Sequence, residues 1–311
     1  MKDFAADGVV YAELRSTPRA VEGRMAKRQY VQALVEAVHR CNNSCSSVAG
    51  GGDHTTRQGA FGPLGIQTRV LVSIDRGQSL EAAEESFALA EEFRQLYPGV
   101  IVGIDVSGNP TKNDIALLAP LLKRAVASGF KTAVHLAEVP NEVEVSGFLN
   151  PAFFVPDRIG HGVEIHPSTR GGSEILWKKL LGKHCAHRPS SWYKTLYLIS
   201  ASKIPVEVCL TSNKLATSVS DLRKHPVQHL VAAGHPIAIC TDDKGLFGVS
   251  LADEYHSLDE LFDVGATTLV ELIRNSAQHA FCDSDLKVQL NSYIKDKSQK
   301  LLEELTLDTT K

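Results

Sequence analysis

Three short stretches of this 311-residue chain place reactive side chains where an apolar run stops. KTAVHLAE carries His135 and Glu138, RIGHG carries His161 between two glycines, and AICTDDKG carries Asp242 and Asp243. Imidazole nitrogen plus carboxylate oxygen is a usual donor mix for catalytic zinc. A glutamate beside a metal-activated water can move protons. Each residue also has a plainer reading. His135 suits a hydrogen-bonded core histidine, Glu138 a first-turn glutamate facing a helix dipole, and Asp242 or Asp243 a helix cap. Gly108, in DVSGNP, suits a turn. The catalytic reading overtakes these only if the residues share one end of one structure.

The elements that must position them are legible as β-branched runs. Strands are predicted at Val9–Leu14, Ile66–Ile74, Val100–Val106, Lys131–Leu136, Asp157–His161, Pro205–Leu210 and Pro236–Thr241. Runs as continuously apolar as VIVGIDV belong in a sheet covered on both faces. Between them, Ser79 can cap a helix with Leu80, Ala83, Phe87 and Ala90 on one stripe. Further helices are expected over Lys27–Arg40, from about Pro120 to Gly129, and from about Leu258 to Leu305. Strand–helix alternation predicts a parallel α/β sheet, and reactive groups of a (β/α) barrel sit at its C-terminal strand ends. Seven strands are found where a closed barrel has eight. The chain opens on what reads as a helix tail, Asp3–Ala6. Residues 1–311 read as one barrel domain, with a Gly- and Ser-rich flexible loop at 42–65 and an inserted basic, aromatic stretch at 177–197.

Charge and composition exclude several classes. Lys plus Arg number 33 against 36 Asp plus Glu, with no basic cluster, so a nucleic-acid polymer is not an expected partner. A small molecule is. No apolar run reaches the ~18 residues of a membrane span, and the N-terminus lacks a signal-peptide pattern. Six cysteines are scattered. Cys209 and Cys240 read as buried thiols of a reduced, cytoplasmic protein, and a monomer is expected. HCAH (His184, His187) and HPVQH (His225, His229) have helical metal spacing but lack the H-E-x-x-H glutamate, and Pro226 disturbs the second pair. There is no P-loop, G-x-G-x-x-G or G-x-S-x-G.

HLAE (135–138), RIGHG (158–162), SGNP (107–110), CLTSN (209–213) and CTDDKG (240–245) together resemble the adenosine deaminase family. ELRSTPR (13–19) and SIDRG (73–77) favour its nucleotide-handling, adenosine deaminase-like branch. The resemblance covers about residues 1–165 and again 199 to the end. It implies a TIM-like (β/α)8 barrel of the metal-dependent hydrolase type and a zinc-dependent deamination of N6-methyl-AMP to IMP plus methylamine, or of adenosine to inosine. Position by position, it implies that His135 and Asp242 ligate one Zn²⁺ and that Glu138 protonates purine N1. His161 would orient or deprotonate the attacking water. Asp243 would hydrogen-bond N7, and the Gly108 backbone N–H would meet N3. Ser16, Thr17, Pro18, Arg19 and Asp75 would surround the ribose and 5′-phosphate.

The chain departs from that pattern in two places. The family's first strand carries a His-x-His pair that gives two further zinc ligands, and no H-x-H occurs in these 311 residues. The missing pair and the missing eighth strand read as one loss, an absent N-terminal segment. Residues 177–197 interrupt a helix. Both departures lead us to expect weak zinc affinity and impaired turnover, down to a non-catalytic nucleotide-binding remnant.

Overall fold

A computed structural model of the chain describes residues 1–43, 61, 65–150, 153–181, 203–216 and 219–308. Seven strands form a single sheet: β1 (Tyr11–Ser16), β2 (Gln67–Asp75), β3 (Ile101–Ser107), β4 (Lys131–Leu136), β5 (Arg158–His161), β6 (Val206–Val208) and β7 (Ile237–Ile239). They lie in chain order, β1 to β7, and every neighbouring pair is parallel. Parallel neighbours need crossovers, and helices supply most of them. This is a (β/α)8-type barrel with seven strands among the described residues. No described helix is long and apolar enough to cross a membrane.

Local chemistry explains the crossovers. Val31, Val35 and Val38 recur at near-helical spacing and are buried on one face of the helix Lys27–Asn43. The Ser79 side chain accepts from the Ala82 N–H and starts the helix Leu80–Leu96. Pro120 lies in the first turn of Ala119–Ala127, where its missing N–H leaves no bond unmade. The main core packs these helices against outward residues of the strands, among them Val70, Val72, Ile104, Val134 and Ile159. The opposite strand faces converge inside the cylinder.

The differences from expectation are at boundaries. β6 and β7 stop after three residues, because Leu210 already begins the helix Leu210–Leu215 and Thr241 turns toward the next. Cys209 is buried, but Cys240 is half-buried, since the short β7 carries it toward the open mouth. The closing helices start earlier than expected, at Leu251–Phe262, Gly265–Gln278 and Ser284–Asp308. Most of 42–65, and the part of 177–197 beyond Leu181, lie outside the described residues, as do His184 and His187.

Candidate active site

Four residues near three strand ends build the centre. His135 is the next-to-last residue of β4, and Glu138 lies two residues beyond that strand. His161 ends β5, and Asp242 follows β7. His135 Nδ1 lies 3.8 Å from Glu138 Oε1, and His161 Nε2 lies 3.8 Å from Glu138 Oε2 and 4.0 Å from Asp242 Oδ2. The two imidazoles meet edge to face with centroids 4.9 Å apart. Ala137, His161 and Asp242 all have left-handed backbone, at φ 56°, 64° and 51°. Non-glycine residues adopt that region at a cost, and such strain gathers at functional sites. Gly160 makes room for the neighbouring imidazole. A Cβ there would stand 2.6 Å from His135 Cδ2, so only glycine admits the His135 ring.

The rest of the rim follows from the same register. Ser16 ends β1, its hydroxyl 2.6 Å from that of Tyr30. Thr17 is half-buried, Pro18 buried and Arg19 exposed in the loop beyond. Asp75 ends β2 and accepts from the Gly77 N–H. Gly108, at φ +97°, abuts it; a Cβ at Gly108 would lie 2.2 Å from Asp75 Oδ1. Asp243 is exposed and occupies the N-cap of Lys244–Phe247 without a side-chain bond to that helix, so its carboxylate is not a working cap. Glu138 stands outside any helix, which removes the first-turn reading.

Below the mouth lies a charged layer that sequence reasoning missed. Arg15 Nη1 sits 2.8 Å from His135 Nε2 and 3.2 Å from Asp105 Oδ1, while Nη2 donates to Glu207 Oε2 at 2.6 Å. Ser73 donates to the other oxygen of Asp105. Arg158 pairs with Glu13, and its Nε lies 2.8 Å from Glu207 Oε1 without hydrogen-bond geometry. Burial alone would raise Glu207, but Arg15 and Arg158 overcome it and hold the carboxyl at about 2. A depressed carboxyl stabilises the fold fully above its unfolded value near 4.5, and that stability is lost as pH falls toward 2. We expect about 3 kcal/mol to disappear across that window. Urea unfolding at pH 6 and pH 3 checks it: Glu207→Gln should lose much less stability on acidification than the wild type.

Two groups of donors could take up a metal ion: His135, Glu138 and His161, and His161, Cys209 and Asp242, each with ligand atoms within 4.8 Å of one another. The donor chemistry suits zinc. A guanidinium, which can only donate, already lies against His135 Nε2, so that nitrogen presents its lone pair to a cation. Two guanidiniums face three carboxylates (Glu13, Asp105, Glu207) in the layer beneath, leaving a negative surplus. The residues therefore fit a divalent cation in kind. Catalytic zinc takes three or more protein ligands, and each of the two groups offers three donors.

Electrostatics separates the two central groups. Burial raises the Glu138 carboxyl, His161 opposes this, and Asp242 adds to the rise. Burial lowers His161, and His135 lowers it further. Both shifts run toward the uncharged form, the carboxyl upward and the imidazole downward. Asp242 is held by Ser212, whose hydroxyl donates to Oδ2 at 2.7 Å, and His161 by Asn213 at 3.0 Å. Both partners come from Leu210–Leu215. The N–H groups of Leu210 and Thr211, at the start of that helix, donate to buried Glu254.

Comparison with known proteins agrees with this geometry. The family described as Adenosine deaminase matches residues 1–297. N6-Methyl-AMP deaminase of Danio rerio is 33% identical over 304 residues, 97% of this chain and 76% of the relative. The Homo sapiens N6-Methyl-AMP deaminase is 32% identical over 292 residues, 93% of this chain and 71% of the relative. An Arabidopsis thaliana relative solved in complex with IMP superposes with a TM-score of 0.74 at 31% identity, spanning 96% of this chain and 75% of that one. On site geometry, fold and extent of match together, the chain belongs to the adenosine deaminase family.

Proposed function

We propose that this chain catalyses the hydrolytic deamination of N6-methyl-AMP, yielding IMP and methylamine. As a member of its family it is an aminohydrolase. One observation carries the reading: His135 and Glu138, His161, and Asp242 arrive from three strand ends at one mouth. The relatives named for N6-methyl-AMP and the relative bound to IMP support the choice of substrate.

The chemistry needs water to add at C6, a proton to reach N1, and the amine to leave. Glu138, whose carboxyl burial raises above the ordinary glutamate value, is suited to donate to N1. Neutral His161 faces the same carboxyl and the Asp242 carboxylate, placed to orient the incoming oxygen. Asp243 would meet the purine at N7, and the Gly108 N–H would donate to N3. Exposed Arg19 suits the 5′-phosphate, because its planar fork matches phosphate oxygens, and Ser16, Thr17, Pro18 and Asp75 line the ribose side. His135 and Asp242 would hold a zinc ion, which would make water acidic enough to attack near neutral pH.

Arg15 on His135 Nε2 favours a second reading, a chain that binds purine nucleotide without turning it over. The assay supplies zinc and follows IMP and methylamine from N6-methyl-AMP, with N6-methyladenosine and adenosine in parallel. We expect product, and at least ~10-fold lower kcat/KM without the phosphate, the worth of one charge-assisted contact. IMP binding without product establishes the second reading. Adenosine turned over fastest would make the chain a nucleoside deaminase.

A further inference from the structure

His161 is tied into a buried chain of hydrogen bonds whose direction is fixed from one end. The Val227 backbone N–H, which can only donate, lies 3.0 Å from His225 Nδ1. His225 is 1% exposed, and burial lowers it to about 4, so the ring is neutral at physiological pH. With Nδ1 accepting, its single N–H is on Nε2. That N–H points at Asn213 Oδ1, 3.0 Å away. The Asn213 amide is thereby oriented, and its NH₂ faces His161 Nδ1 at 3.0 Å. An amide nitrogen donates and does not accept, so His161 Nδ1 is the acceptor. A reversed amide would set NH₂ against the His225 N–H and C=O against the His161 nitrogen. It would strand a donor among residues only 1% to 6% exposed, at a cost that buried polar groups rarely bear.

We infer that Asn213 and His225 are positioning residues that lock His161 in the Nε2–H tautomer, so that His161 offers the reacting centre a hydrogen-bond donor and not a lone pair. This rests on the deaminase reading and sharpens it. Nε2 is the atom that faces Glu138 and Asp242. A neutral His161 with hydrogen there cannot take a proton through that atom or ligate a metal through it. It donates to the attacking oxygen and holds a lone pair of that oxygen toward the ring. The proton released by water then passes to Glu138, a carboxylate once it has given its own proton to N1, whose Oε2 lies 3.8 Å from His161 Nε2. The same logic removes His161 from both candidate donor groups, leaving His135 and Glu138 in one and Cys209 and Asp242 in the other.

The experiment is a ring ¹⁵N–¹H correlation spectrum of the full chain labelled with ¹⁵N-histidine, at a pH above the range where His161 ionises. His161 is assigned from the signals lost in His161→Gln. Wild type is expected to show a protonated Nε2 and a bare Nδ1. Asn213→Asp replaces the donor by an acceptor of the same shape and should move the His161 proton to Nδ1. It should lower kcat for N6-methyl-AMP roughly 10²-fold or more, the scale of a misdirected proton carrier, with KM near wild type. A wild-type ring protonated on Nδ1, or an Asn213→Asp ring still protonated on Nε2, overturns the inference. Should the variant not fold, the wild-type spectrum decides alone. That spectrum is readable whether or not the chain turns over, so the fate of the deaminase reading is registered separately.

Discussion

Glu138→Gln should lower kcat for N6-methyl-AMP by roughly 10²- to 10⁴-fold, the contribution of a positioned general acid, while IMP binding changes only a few-fold. The amide keeps the shape and one donor but has no proton to give. Burial raises the wild-type carboxyl, so the acid form persists to higher pH than an exposed glutamate allows. Activity that needs this proton falls as pH rises through the raised value, and the basic limb of the kcat profile should report it. The effect on stability has the opposite sign to that of Glu207. A carboxyl raised on folding releases its proton first in the unfolded chain, so folding stability declines as pH climbs between the unfolded and folded values. Glu138→Gln removes that decline and should unfold no more easily than wild type at pH 8. Steady-state rates, calorimetric titration with IMP and urea unfolding at two pH values together separate lost catalysis from lost fold. Near wild-type turnover by the variant would sink the role given to Glu138.

How far the sequence discloses this site depends on where each residue sits along its strand. Residues at strand ends are legible, because polarity that interrupts an apolar run marks a rim: His135, His161, Asp242 and Gly108 stand out this way. Residues inside strands are not. Arg15, Asp105 and Glu207 each occupy one inward position within a strand, the last two between apolar neighbours, and only the closing of the sheet brings them within 2.6 to 3.2 Å. A period-two reading of ELRS, GIDVS and VEV shows the alternation but not which face is enclosed. His225 is hidden by its motif. HPVQH invites an i, i+4 pairing, yet Pro226 stands at the N-cap of Val227–Ala232 and separates the two rings. His225 turns inward to Asn213, and His229 stacks on His166 with centroids 3.7 Å apart. Asn213 could have been found through CLTSN, since an asparagine in the first turns of a helix at a strand end is well placed to bond inward.

Arg15→Met should cost about 3 kcal/mol of stability. Methionine keeps the stem and its packing but leaves fully buried Asp105 without its guanidinium, with only the Ser73 hydroxyl and the His135 ring beside it, and leaves Glu207 only Arg158 as a paired guanidinium. Removing one member of a buried pair costs more than the pair contributes, because the remaining charge has lost water and partner alike. Protonating the stranded carboxyls relieves that penalty. Urea unfolding should therefore show the deficit large at pH 7 and shrinking toward pH 3, where wild type has itself lost part of the Glu207 contribution. The same substitution frees His135 Nε2. A zinc ion held through His135 Nε2, as the proposed function has it, would have to displace the guanidinium from that lone pair, since one lone pair cannot serve both. A charge-assisted hydrogen bond is worth about 1.5–3 kcal/mol, so zinc should bind the Arg15→Met chain roughly 10- to 100-fold more tightly. Competition with a chromophoric chelator measures this on folded protein below the urea transition. A variant that is less stable and yet holds zinc more tightly cannot be explained by general loosening of the barrel. Unchanged zinc affinity would mean that Arg15 leaves His135 without cost, and that its place in the charged layer is structural alone.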